Sequence, residues 1–427
     1  MIHSKTLLSG VLILLLFAQC NEPAPTTGET PLAKVRFGML PYGDHTYAII
    51  GAEKGWFREV GIDLSYEPVK IDAIIPMLKA GTMDVISTPP GILFASYDNA
   101  PDLCSFVFGD LFQGYAILAQ PTSGLKSVQE FIAEGKLDSA AIVAAVQQLK
   151  GKKLASPAEA AIKPFIETAL AKGGLKLSQI RQLVMDDPLT VNAMRNKQAD
   201  LQVGGVPSRL VLQREGFKPI ITSIDLVKLA RPSSSSKELA SILQNGWATS
   251  KAYYQQHHDI VLRMASVNYR IMDLINHAPA EALKIHMPYL TKVSGQPFSE
   301  KEGEIIYHSL DPFFTFADQR PWFHDKLSPL YFEYVNGSIV NNFISQHIYK
   351  GTPPTVNAVI YADDIYYEME ALKAGSDSVF RIIDEKHLAD KDAGTKDQYA
   401  KAHAFYEKYD FLDAKKTGEA ILNAAGK

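Results

Sequence analysis

Between Val35 and Gly91 the chain alternates short apolar runs with helical patterns. The run Val35–Leu40 stops at the turn Pro41-Tyr42-Gly43-Asp44, and a helical pattern then extends from Thr46 to Lys54 and ends at Gly55. A second run, Ile62–Tyr66, precedes a helix that carries Ile74, Ile75 and Leu78 and stops at Gly81. A third, Asp84–Ser87, closes on Thr88-Pro89-Pro90-Gly91. This alternation predicts βαβ units and a mostly parallel sheet. Such sheets bind ligands beyond the carboxyl ends of their strands, here the loops 40–46 and 87–91.

The pattern continues with a helix at 92–97, a strand at 105–108, a turn at 109–115 and a strand at 116–119. Residues 126–148 read as an inserted helix or helical pair. A second set begins at Leu149-Lys150-Gly151-Lys152-Lys153. There Ser156 is expected as an N-cap, Pro157 as the first helical residue and Glu159 as the partner of a capping box. That helix is expected to reach Lys172 and to end at Gly173-Gly174. A strand at 182–185, a helix at 189–196 capped by Asp187, and a strand at 201–203 follow, then Gly204-Gly205-Val206-Pro207. The chain is expected to return to its first half near 220–223. An exposed loop at 231–236, a long amphipathic helix at 251–276 and closing helices at 311–316 and 327–348 come after it. Beyond the loop signal Gly351-Thr352-Pro353-Pro354, Ile365, Met369 and Leu372 recur at helical spacing, and a further helix is expected over 399–411.

Gly55-Trp56-Phe57, Gly61-Ile62-Asp63, Ala80-Gly81-Thr82-Met83-Asp84 and Pro89-Pro90 follow in an order and spacing that carry a resemblance. The chain resembles the nitrate/sulfonate/taurine and thiamine-precursor group of ABC-importer solute-binding proteins, over residues 34–350. Members often carry Trp-Glu before the proline at 207, where this chain has Gly205-Val206. The resemblance implies an α/β fold of the periplasmic-binding-protein type II, with two lobes, a hinge and a ligand cleft. Lobe 1 is expected at 34–115 and 221–350, lobe 2 at 116–220, and a helical C-terminal extension at 351–427. It also implies a small-molecule ligand and an ABC permease as partners, and a binding protein rather than an enzyme.

Composition narrows this picture. The 427 residues are 46% hydrophobic and 21% charged, a globular balance, and a net charge of −4 speaks against a nucleic-acid partner. Leu7–Phe17 is an apolar stretch too short to remain as a spanning helix. It ends in Leu16-Phe17-Ala18-Gln19-Cys20, which resembles a lipoprotein cleavage site. Residues 1–19 are therefore expected as a signal peptide, Cys20 as a lipid anchor and 20–33 as a Pro/Thr-rich tether, placing the protein at the bacterial cell envelope. Only Cys20 and Cys104 occur, so an acylated Cys20 leaves no intrachain disulfide. A fungal pyrimidine synthase of the same family is an enzyme with a cysteine-rich iron motif, which two cysteines do not supply. A surface interaction lipoprotein with a vestigial cleft is the other alternative. No cofactor and no metal are expected; His257-His258 point to different faces of a helix. A monomer is expected.

The expected ligand-binding residues are Tyr42, Asp44, His45, Thr46, Thr88, Pro89, Gln113, Tyr115, Ser156 and Asp187. For the first loop and for Thr88-Pro89, the competing reading is a polar turn that starts a helix; for Ser156 and Asp187 it is capping alone. Helix N-termini suit an anion. Asp44, Asp186 and Asp187 lie beside them, however, and no Lys or Arg lies in these loops. A neutral or cationic organic ligand, stacked on Tyr42 or Tyr115, is the resulting expectation.

Overall fold

The computed structural model describes residues 31–426; the leader at 1–19, Cys20 and tether residues up to 30 lie outside the described residues. Among the described residues, ten strands form two five-stranded sheets. The strands are β1 (Ala33–Met39), β2 (Ile62–Pro68), β3 (Val85–Thr88), β4 (Leu103–Phe112), β5 (Ala116–Ala119), β6 (Lys153–Ser156), β7 (Arg181–Val184), β8 (Leu201–Gln202), β9 (Lys218–Thr222) and β10 (Leu243–Ser250). One sheet has the order β2-β1-β3-β10-β4 and the other β7-β6-β8-β5-β9.

The two sheets share one plan. In each, a single strand runs against its neighbours, β10 in the first and β5 in the second, and each is the strand by which the chain crosses over. The architecture is thus two α/β lobes joined by two crossovers, with a helical C-terminal extension. Residues 126–148 form the helical pair Val128–Ala133 and Asp138–Gln147 on lobe 2.

The extension closes the edge of lobe 1. Ser105 of β4 pairs with Ile360, through Ser105 N–H to Val359 O at 2.9 Å and Tyr361 N–H to Ser105 O at 2.8 Å. Helix Ala362–Glu385 packs over β4, and helices Ala393–Glu407 and Phe411–Ala425 pack on it around Val379, Phe380, Ile383, Ala402 and Ile421. Phe316 of lobe 1 joins the two parts, with its ring 4.7 Å from Tyr366 and 5.8 Å from Phe411. His258 to Glu368 at 2.7 Å and Arg263 to Asp413 at 2.8 Å add polar ties.

Several expectations need correction. The turn expected at 109–115 is largely strand, because β10 pairs with β4 as far as Phe112 and Phe313 pairs with Asp110 on the other side. That pairing also makes 311–316 extended rather than helical; Pro312 has no N–H to give a helix and disfavours helical backbone at Asp311. The helix expected over 327–348 spans Phe332–Ser345. The one over 251–276 is two, Lys251–Gln256 and His258–His277. The helix expected over 399–411 is Ala393–Glu407, and Asp410 then starts a further helix by accepting from the Asp413 N–H at 3.2 Å.

Strand β10 was not anticipated. Its sequence LQNGWATS is buried almost throughout, yet half polar, so it presents no apolar run. Gln244 is satisfied inside the protein instead, by Leu330 O and the Asn336 amide, and the Asn245 amide donates to the carboxylates of Asp44 and Asp110 while its Oδ1 has no partner. Trp247 anchors the strand in the core against Phe37 and Tyr47.

Candidate functional site

The segments that leave the strand ends of the two lobes touch each other. The Tyr42 ring, after β1, lies on Gly205, after β8; a Cβ at Gly205 would stand 3.0 Å from two ring carbons. Likewise a Cβ at Gly91, after β3, would stand 3.7 Å from the Cβ of Ala161, after β6. At the flanks, Arg214 of lobe 2 pairs with Glu302 at 2.7 Å, and Gln346 donates to Glu167 of lobe 2 at 2.6 Å.

This junction is rich in shielded carboxyls. Asp44, Glu159 and Asp187 gather around Tyr42 and Tyr115. Burial raises Asp44 to about 7 and Asp187 to about 6. Burial, with Asp44 and Asp187 as neighbours, raises Glu159 to about 8, although part of its surface still reaches solvent. Beneath Asp44 lie Asp110 and Asp311, both fully buried and both raised far above the carboxylate range by burial and by Asp44. Asn245 bridges the first pair, donating to Asp44 Oδ2 at 2.6 Å and to Asp110 Oδ2 at 3.3 Å. Arg209 faces Asp311; burial lowers it to about 10, and it donates to Gly114 O at 2.7 Å.

The loop after β1 is held from below. Thr46 Oγ1 donates to Tyr42 O at 2.9 Å, so it accepts from His286 Nε2 at 2.8 Å. His286 Nδ1 then accepts from the Tyr307 hydroxyl at 2.9 Å. Burial holds this histidine, and His45, neutral by lowering each to about 3. His45 Nδ1 lies 3.1 Å from Ser87 Oγ, which ties the loop to β3.

A family model described as NMT1/THI5 like matches residues 43–282, more than half of the chain. The chain belongs to the NMT1/THI5-like family. Among solved structures, this NMT1/THI5-like protein is similar to the alkanesulfonate-binding protein SsuA of Xanthomonas axonopodis pv. citri bound to MOPS. The TM-score is 0.55 at 15% identity, covering 78% of this chain and 99% of that one. It is similar also to the periplasmic aliphatic sulphonate binding protein SsuA of Escherichia coli, with a TM-score of 0.55, 13% identity and coverage of 76% and 91%. The desulfurization enzyme DSZB shares the fold at a TM-score of 0.51 and 11% identity, covering 79% of this chain and 98% of that one. No curated protein sequence matches the chain.

In this NMT1/THI5-like protein, Tyr42, Asp44, Tyr115 and Asp187 come together between the lobes. Thr46 is fully buried and engaged by Tyr42 and His286. Gln113 donates to Ser309 O at 3.1 Å. Thr88 is fully buried with no partner for its hydroxyl, and Pro89 is the N-cap of helix Pro90–Ala95. Ser156 caps no helix: it ends β6, and the next helix begins at Ile162. The expected capping box is therefore absent, which frees Glu159 for the junction. Asp187 is the first helical residue rather than the cap, which is Asp186; its Oδ2 accepts from Ser208 at 2.7 Å. Asp110, Asp311, Glu159, Asn245, Arg209 and His286 were not found as site residues. Asp110 did leave a signal, as the one charged residue of LCSFVFGDLF.

The raised carboxyls fix the sign of a pH effect. With folded values near 6 to 8 for Asp187, Asp44 and Glu159, the folded chain holds protons that an unfolded chain releases near pH 4. Their contribution is complete below the unfolded value and is lost as pH rises through the folded ones. The denaturant midpoint is expected to be lower at pH 8 than at pH 5, and Glu159→Gln to flatten that slope. A midpoint equal or higher at pH 8 would contradict it.

Proposed function

We propose that this chain is the solute-binding component of an ABC importer. It captures a small organic molecule between its lobes, closes by hinge motion and delivers the solute to a permease. The observation that carries this reading is the junction itself: buried polar groups from both lobes meet at the strand ends of two matching sheets. Family membership and the shared fold with sulfonate-binding proteins support it. The anchor belongs to the same proposal, with a lipid on Cys20 holding the protein at the envelope. No helix among the described residues is long and apolar enough to cross a membrane.

A thermal-shift screen tests it. A ligand at one hundred times its Kd stabilises a one-site binder by about 2.7 kcal/mol. A panel of taurine, butanesulfonate, nitrate, 4-aminopyrimidine, putrescine and agmatine is expected to contain at least one stabilising compound. No shift with any of them would favour a vestigial cleft. Cys20→Ser is expected to move the protein out of the membrane fraction; retention there would refute the anchor.

A further inference from the structure

We propose that the cleft takes a small organic cation with two or more N–H-bearing positive centres, such as an aliphatic diamine or a guanidino-amine, gripped by carboxylates of both lobes. The inference rests on the solute-binding reading above.

Charge is the first ground. Around Tyr42 stand Asp44 from lobe 1 and Glu159, Asp186 and Asp187 from lobe 2. Asp110 and Asp311 of lobe 1 stand behind Asp44. Against them there is Arg209, which faces Asp311 and Asp225 and whose guanidinium is engaged by Gly114 O and Gln213. His45 and His286 are neutral. A bound cation lets Asp44, Glu159 and Asp187 ionise against it, whereas a sulfonate, a carboxylate or a neutral heterocycle gains no ion pair from them. A single ammonium leaves carboxylates of one lobe uncompensated.

Orphaned acceptors are the second, independent ground. Asp187 is 8% exposed, and its Oδ1 has no hydrogen-bond partner. It lies against the Gly204-Gly205 turn on which Tyr42 of the opposite lobe rests. Asp110 and Asp311 lie deeper, with no exposed surface, and back Asp44 without facing the cleft. Buried acceptors call for donors. Ammonium and guanidinium groups carry several N–H bonds; a quaternary ammonium carries charge without any. Tyr42 and Tyr115 offer aromatic faces to the same cation.

Binding is then linked to protons. Asp44 and Glu159 hold protons near neutral pH, Asp187 does so nearer pH 6, and a bound cation drives them off. Calorimetry of the mature protein with putrescine and agmatine, in phosphate and in Tris, measures both affinity and protons released. The expected result is binding of at least one of them, proton release, and affinity that rises at least about tenfold from pH 6 to pH 8. Asp187→Asn and Glu159→Gln are each expected to weaken it about tenfold or more. Diamine affinity unchanged in both variants would overturn the proposal. Binding of butanesulfonate or 4-aminopyrimidine with no heat from either cation would also overturn it, while leaving the solute-binding reading intact. Silence from every compound in heat and in thermal shift would overturn both.

Discussion

Alanine at position 246 is expected to cost the protein its folded lobe 1. Gly246 sits in β10 where the register with β4 shifts, and a Cβ there would overlap Val107 O and lie 2.8 Å from the Cα of Phe108. Both obstacles are backbone, so no rotamer change relieves them. β10 is a central strand, bonded to β3 on one side and β4 on the other, and forcing it away strips both ladders. The next residue, Trp247, would leave its place against Phe37 and Tyr47 at the same time. A loss of more than about 4 kcal/mol is expected, in the range reserved for a few severe mechanisms. Urea denaturation checks it; a midpoint close to that of the parent would show that β4 yields easily.

The second large effect is functional. Gly205→Val is expected to wedge the lobes apart while each keeps its own sheet. The Tyr42 ring occupies the space a side chain at 205 needs, and the Asp187 carboxylate closes the other side at 3.5 Å. Affinity for whichever compound the thermal-shift screen identifies is expected to fall by about a hundredfold, since misplaced groups lose their joint grip on the solute. Small-angle scattering with ligand present is expected to show a larger radius of gyration than in the parent. Tyr42→Ala alone removes an aromatic contact, but in the Gly205→Val background it restores room. The double-mutant cycle is therefore expected to be non-additive, in the direction of rescue. Unchanged affinity in Gly205→Val would show that Tyr42 and Gly205 need not meet for binding.

The strand–helix alternation at 35–91 was legible because each strand there is a local apolar run with a glycine or proline at its end. The loop that carries Tyr42 and Asp44 followed from it, and the two-lobed plan from the family resemblance. What stayed hidden was non-local. β10 has half its residues polar, and only its partners, about 130 to 165 residues away along the chain, make that burial tolerable. Asp110 and Asp311 meet Asp44 through that strand and the 310–314 segment, so their joint environment has no sequence signature. Ser156 and Glu159 were misread for a different reason: Ser-Pro-x-Glu is a strong capping pattern, but the backbone from 157 to 161 turns before the helix begins.

The edge pairing of β4 sets an order of assembly. Lobe 2 draws its sheet from one continuous segment, 116–222, and can complete it as soon as that segment is available. Lobe 1 cannot: its sheet needs β10, and its outer edge waits for Ile360 to reach Ser105. Closing loops of that length is slow, and contacts of wide sequence separation lower folding rates. A chain emerging N-terminus first therefore carries its first lobe unfinished, beside a second lobe already able to fold, until β10 and then the strand-edge segment at 359–361 have followed.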